Sequence, residues 1–352
     1  PHRKMPMSEI PTLLKPAELS PATEITRQIC QQMDRCLLGR EELHKLVLVG
    51  LLSRGHILLE GLPGLGKTAL VRTIGAIMQL DFSRVQFTPD LMPGDVVGSH
   101  ILQETDSGKR EMTFEPGPVF TNILLADEIN RASPKTQSAM LETMQERSVT
   151  LRGKTRFLPD PFFVIASQNP IEMEGTYPLP EAQLDRFLFR VKFESVDATV
   201  LQNIISDRRH GDLPTPTWQA DRDSLTYLFA IMDRIFLPKP VAGYIARLVA
   251  ATHPGNAEAP EAVNRYIQYG ASPRAAIAMG EAARAHALLD GRPTVGFEDV
   301  AVIAKPVMNH RLILNYQARF DRMDSDKVID ELLEELDDAG LELPEDVSLQ
   351  NA

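Results

Sequence analysis

The sequence predicts an α/β fold in which a parallel sheet flanked by helices is followed by a C-terminal all-α domain. Three observations carry this. Short apolar runs alternate with helical patterns through the first part of the chain. A glycine-rich turn joins one of those runs to a helix. Beyond a proline-rich stretch at residues 212–217 (DLPTPT), the pattern reads as helical throughout. Strands that alternate with helices imply parallel pairing, with both faces of the sheet covered.

In chain order, residues 1–20 are read as an N-terminal extension or a non-native leader. They start Pro1-His2-Arg3-Lys4 with no apolar run behind, which is not a secretory pattern. Residues 21–194 form the expected core. Residues 56–60 (HILLE) read as a buried strand, 69–80 as a helix, and 82–88 as the next strand. Residues 123–126 are a short continuous apolar run, as a central parallel strand requires. Ser133-Pro134 opens a helix, with Ser as N-cap and Pro at the first helical position. Residues 162–166 and 187–193 complete the strands. Residues 195–320 are the expected helical domain, with helices at 225–235, 241–251, 273–289 and 298–314. Residues 321–352 are an acidic tail.

Composition excludes several classes. Of 352 residues, 43% are hydrophobic and 24% charged, which is ordinary for a globular protein. No apolar stretch is long enough to span a bilayer. Cys30 and Cys36 cannot form a disulfide framework, and they read as helical cysteines in a reducing compartment. No histidine pairs with Cys or His at metal-ligand spacing, so no structural metal is expected. The net charge is −11, yet residues 324–352 hold eleven acids against Lys327 alone. The acidity therefore belongs to the tail, either a solvated terminal helix or an electrostatic docking element. The near-neutral body offers no footprint for duplex nucleic acid.

Gly61-Leu62-Pro63-Gly64-Leu65-Gly66-Lys67-Thr68 matches the phosphate-binding loop at every fixed position, between a predicted strand and a predicted helix. Gly61, Gly64 and Gly66 let the backbone turn its N–H groups onto phosphates, and the following helix adds its positive end. Lys67 reaches the β- and γ-phosphates of ATP, and the Thr68 hydroxyl ligates Mg2+. Pro63, Leu65 and Ala69 complete the stretch assigned to the nucleotide. Further on, Ile123-Leu124-Leu125-Ala126-Asp127-Glu128 is a buried strand ending in two acids. Asp127 is expected in the Mg2+ shell, and Glu128 is expected to orient and deprotonate the attacking water.

With these motifs the chain resembles the MoxR family of AAA+ ATPases. Leu38-Gly39-Arg40 resembles the box that contacts adenine, which assigns Gly39 and Arg40 to the nucleotide. Residues 127–132 (DEINRA) are similar to the family's extended second motif. Gln168-Asn169-Pro170 looks like sensor 1, residues 179–187 (LPEAQLDRF) like a family signature, and residues 270–275 (GASPRA) like sensor 2. The resemblance implies that Asn169 positions the water and that Arg274 folds over the γ-phosphate of its own subunit. It also implies that Arg186, ahead of its rivals Arg190 and Arg131, is an arginine finger reaching a neighbour's nucleotide. Such a finger is worth about three to five orders of magnitude in rate where it is known. It requires a homo-oligomeric head-to-tail ring, a hexamer in this family. Segments 97–115, with Asp106-Ser107-Gly108 as turn, and 149–158, with Arg152-Gly153-Lys154 as turn, resemble the family's β-hairpin insertions.

The function so implied is a cytoplasmic, Mg2+-dependent chaperone-like motor. It would remodel a client together with a separate protein carrying a von Willebrand factor A domain. A magnesium-chelatase-like ATPase subunit, a nucleic-acid motor and a nucleotide-gated scaffold are the alternatives.

Overall fold

A computed structural model describes residues 13–104, 110–170, 176–207 and 212–336. Two compact units divide them: residues 13–235 with 288–293, and residues 236–287 with 294–336.

The first unit opens with α1 (Pro16–Cys36) and α2 (Glu41–Leu52). Pro16 takes a position where a missing N–H costs little, and the Glu18 carboxylate accepts from the Lys15 N–H at 3.0 Å. Then follow β1 (Ile57–Glu60), α3 (Lys67–Met78), β2 (Phe82–Gln86), α4 (Pro93–Val97), β3 (Gly98–Glu104), β4 (Arg110–Pro116) and β5 (Ile123–Asp127). After these come α5 (Pro134–Glu146), β6 (Ser148–Leu151), β7 (Lys154–Phe157), β8 (Phe163–Gln168), α6 (Glu181–Leu184), β9 (Phe189–Lys192), α7 (Ala198–Asp207) and α8 (Arg222–Met232).

The five strands expected from the apolar runs form one sheet in the order β2-β5-β8-β1-β9, parallel throughout. In β5 and β8 the burial does not alternate: Ile123, Leu124, Leu125, Ala126, Val164, Ile165 and Ala166 are all buried. Successive side chains point to opposite faces, so unbroken burial means that both faces are covered. Truncating any of the larger ones to Ala would cost about 2–5 kcal/mol.

Both hairpins are present. In the first, β3 pairs β4 from Gly98↔Pro116 to Glu104↔Arg110; the expected turn at Asp106-Ser107-Gly108 lies outside the described residues. In the second, Arg152 and Gly153 both take positive φ, 51° and 75°, which suits a two-residue turn between strands of right-handed twist. The Arg156 guanidinium lies 3.8 Å from the Phe114 ring centroid, so the hairpins touch.

The sheet unit does not stop at residue 194, where the sequence reading placed the change of domain. It runs on to Ile235 because α8 packs on α1 and α2, the Tyr227 hydroxyl donates to the Glu18 carbonyl, and Arg54 pairs with Asp233 at 2.9 Å.

The second unit holds α9 (Lys239–Ala251), α10 (Glu261–Tyr266), β10 (Ile267–Tyr269), α11 (Pro273–Leu289), α12 (Phe297–Met308), β11 (Ile313–Leu314), α13 (Tyr316–Phe320) and α14 (Ser325–Glu335). It is helical apart from the antiparallel pair β10–β11. The helix expected to reach residue 314 ends at Met308, and Ile313 and Leu314 pair with Tyr269 and Ile267 instead. The segment read as an acidic tail is, as far as residue 336, part of this unit. Asp324 caps α14 by accepting from the Lys327 N–H at 2.9 Å, and Val328, Ile329 and Leu332 are buried. Helix α14 packs on α9, α10 and α12. Among the described residues no helix is long and apolar enough to cross a membrane.

Candidate active site

The ends of β5, β8 and β1 are neighbours in the parallel sheet, so the segments that follow them meet along its carboxyl edge. After β1 comes the glycine loop. Gly64 and Gly66 hold φ of 81° and 99°, a region closed to most L-residues, and this releases the chain into α3 with its N–H groups turned outward. A Cβ on Gly61 would strike the Phe193 carbonyl, so this position needs glycine for close approach. After β5 come Asp127 and Glu128, and after β8 comes Asn169.

These segments enclose a cavity of about 340 Å³ lined by Gly61, Pro63, Gly64, Gly66, Lys67, Thr68, Arg84, Gln86, Asp127, Glu128 and Asn169. Lys67 is buried, and its ammonium donates to the Gly61 carbonyl. Burial pushes its pKa down, opposed by the carboxylates of Asp127, Glu128 and Glu60. Asp127 is held at both oxygens: Oδ1 accepts from the Ser167 hydroxyl at 2.6 Å, and Oδ2 from Arg84 Nη2 at 2.7 Å. Glu128 sits in the left-handed region, φ 55° and ψ 49°, a sparsely populated backbone for such a residue. Its N–H donates to Ser167 Oγ at 2.9 Å, and its Oε2 lies 3.0 Å from Arg131. The Gln137 amide nitrogen donates to the Ile129, Ala132 and Tyr177 carbonyls and anchors the segment that follows.

A second cavity of about 500 Å³ shares Gly64 and Gly66 with the first. Leu38, Arg40, Leu65, Ala69, Leu70, Phe193, Val196, Leu201 and Ile204 line it, among others. Arg40 stacks 3.9 Å over the Phe193 ring and donates to the Leu65 carbonyl at 3.1 Å. Gly39 stands beside the cavity and packs against Val200 of α7. An apolar slot next to a phosphate cradle suits a nucleotide base. The Thr68 hydroxyl and Asp127 carboxylate are hard oxygen donors on one cavity, which suits Mg2+.

Arg186 does not line either cavity. Its Nη1 donates to the Leu141 carbonyl at 3.1 Å, and it has no carboxylate partner among the described residues. Its rivals are engaged within the chain, Arg131 by Glu128 and Arg190 by Glu60 at 3.0 Å. Arg274 lies in the first turn of α11, in the helical unit.

The sequence reading missed Arg84, Gln86, Ser167 and Phe193. Alternation in β2 (FSRVQ) puts Arg84 and Gln86 on one face. Only the register beside β5, with Gln86 opposite Asp127, brings that face to the phosphate cavity.

Fold and site together define an ATPase of the P-loop class with an AAA-type core. Residues 56–189 match the family model described as ATPase family associated with various cellular activities (AAA), and residues 259–332 match the AAA lid domain. The chain is 43% identical to Chaperone MoxR1 of Mycobacterium tuberculosis over 304 residues, covering 86% of this chain and 79% of that one. It is 32% identical to Protein MoxR of Methylorubrum extorquens over 300 residues, 81% and 86% of the two chains. A crystal structure of a candidate ATPase from Cytophaga hutchinsonii superposes with a TM-score of 0.83 at 36% identity, covering 91% of this chain and 97% of that one. The chain belongs to the MoxR family of AAA+ ATPases.

Proposed function

We propose that this chain hydrolyses ATP with Mg2+ and works as a ring-forming, chaperone-like motor in the cytoplasm. The observation that carries the reading is the gathering of Lys67, Thr68, Asp127, Glu128 and Asn169 around one cavity. Loop N–H groups and Lys67 bind the phosphates. Thr68 and Asp127 would hold Mg2+, which offsets phosphate charge when bound. Asn169 orients a water, and a Glu128 carboxylate oxygen takes its proton.

Arg186 is the cation for a neighbouring copy's γ-phosphate. Its lack of a carboxylate partner among the described residues, and its absence from the lining of the two cavities described above, support that role. Arg274 serves as sensor 2, and the helical unit, residues 236–287 with 294–336, serves as the lid. The client-facing part is the touching hairpins, where Leu102, Met112 and Phe157 are exposed beside Arg152 and Lys154. The partner is a separate von Willebrand factor A domain protein, as the family resemblance implies.

The test is ATP turnover per subunit against protein concentration for wild type, Lys67→Ala, Arg186→Ala and a mixture of the two variants. Expected are turnover that rises with concentration, near-silent single variants and partial recovery in the mixture, where an intact loop can meet an intact finger. Concentration-independent turnover with an active Arg186→Ala would overturn the shared site.

A further inference from the structure

We propose that Arg84 competes with the divalent cation for Asp127, and so controls how strongly nucleotide binding depends on metal. This rests on the reading of the cavity as an ATP·Mg2+ site.

The geometry is specific. In the register of β2 on β5, Gln86 lies opposite Asp127, and Arg84, on the same face, reaches forward to it. Its Nη2 stands 2.7 Å from Asp127 Oδ2 and 2.8 Å from Gln86 Oε1. The other carboxylate oxygen, Oδ1, accepts from Ser167, which is wholly buried. Ser167 is therefore a fixed partner. Arg84 is a movable one, since its side chain is 45% exposed while that of Asp127 is only 14% exposed.

A cation that comes to Asp127 meets an oxygen already neutralised by a guanidinium. A divalent ion is smaller and doubly charged and binds carboxylate oxygen strongly, so it displaces Arg84 rather than sharing with it. Without metal, Arg84 offsets the negative charge of Asp127, which would otherwise repel incoming phosphates. With metal, the displaced guanidinium remains on the wall of the phosphate cavity as a second cation beside Lys67. One side chain thus weakens metal binding and supports metal-free nucleotide binding, and the two effects have opposite signs on removal.

The experiment titrates Mn2+ by electron paramagnetic resonance in the presence of ADP, and titrates a fluorescent ADP analogue in EDTA. The proteins are wild type, Arg84→Ala, Arg84→Lys and Arg131→Ala. Arg84→Ala is expected to bind Mn2+ about fivefold more tightly and metal-free ADP about fivefold more weakly, while Arg84→Lys stays near wild type. Arg131→Ala removes an equal charge from Glu128 and is expected to leave Mn2+ affinity within about twofold. Unchanged or weakened Mn2+ binding in Arg84→Ala would overturn the competition. An equal rise in Arg131→Ala would also overturn it, because a general field would then suffice. Wild-type protein whose ADP binding ignores Mn2+ would instead overturn the ATP·Mg2+ reading, and this inference with it.

Discussion

The Ser167 hydroxyl serves two neighbours at once: it donates to Asp127 Oδ1 and accepts the N–H of Glu128. It thereby fixes the carboxylate expected at the metal and the strained backbone of the residue expected to activate water. Ser167→Ala leaves Asp127 Oδ1 and the Glu128 N–H without this partner, a loss of about 1–3 kcal/mol that falls on the orientation of Glu128. Turnover is expected to fall about tenfold or more while ADP affinity stays within about twofold. Steady-state kinetics with a nucleotide titration checks this; unchanged turnover would remove the positioning role. Ser167 and Arg84 were not legible in the sequence, whereas the meeting of Lys67, Thr68, Asp127 and Glu128 at one cavity was. The legible residues follow from local rules, a glycine turn after a strand and acids at the end of an apolar run. Ser167 and Arg84 act across strands far apart in sequence, and only parallel register brings them to Asp127.

At the scale of elements, boundaries were legible where a local signal was strong. Ser133-Pro134 marked the start of α5, and the Ser133 hydroxyl accepts from the Thr136 N–H at 3.4 Å and meets Thr136 Oγ1 at 3.1 Å. Thr136 in turn donates to the Leu91 carbonyl at 2.7 Å, tying α5 to the loop before α4. Ser133→Ala should cost about 1 kcal/mol of stability, read as a lower urea midpoint at unchanged slope. Nucleotide affinity should not move, because α5 presents no residue to either cavity. A midpoint equal to wild type would mean that Pro134 alone sets the helix start. Where apolar content continued past a helix end, the signal failed. Residues 312–314 (LIL) kept the apolar character of α12, and only the distant partner β10 turned Ile313 and Leu314 into a strand.

At the scale of the whole molecule, the order of sheet unit and helical unit was legible, and their border was not, because α8 is helical in pattern but packs with α1 and α2. The same tertiary packing determines how the protein responds to acid. His56 enters β1 buried, with Nδ1 accepting from the Val164 N–H at 3.0 Å and Nε2 donating to the Met144 carbonyl at 3.0 Å. A backbone N–H can only donate, so Nδ1 must be unprotonated and the ring neutral. Burial pushes the His56 pKa down to about 4, with Arg147 adding to the shift and the Met144 carbonyl opposing it. The unfolded chain takes up this proton near pH 6.5, and the folded chain only near pH 4. Stability is therefore full above the unfolded value and falls as pH drops through that window, by at most about 1.4 kcal/mol per pH unit and about 3 kcal/mol in all. Other groups titrate in the same range, so the informative quantity is the difference between wild type and His56→Gln. The variant should be less stable at pH 7.5 through lost packing. The gap should narrow steadily toward pH 5, because only wild type has this proton to exclude. Urea unfolding at several pH values measures the gap; one that stayed constant would mean that the folded chain takes up the proton as readily as the unfolded chain, so that the site between Val164 and Met144 does not exclude it.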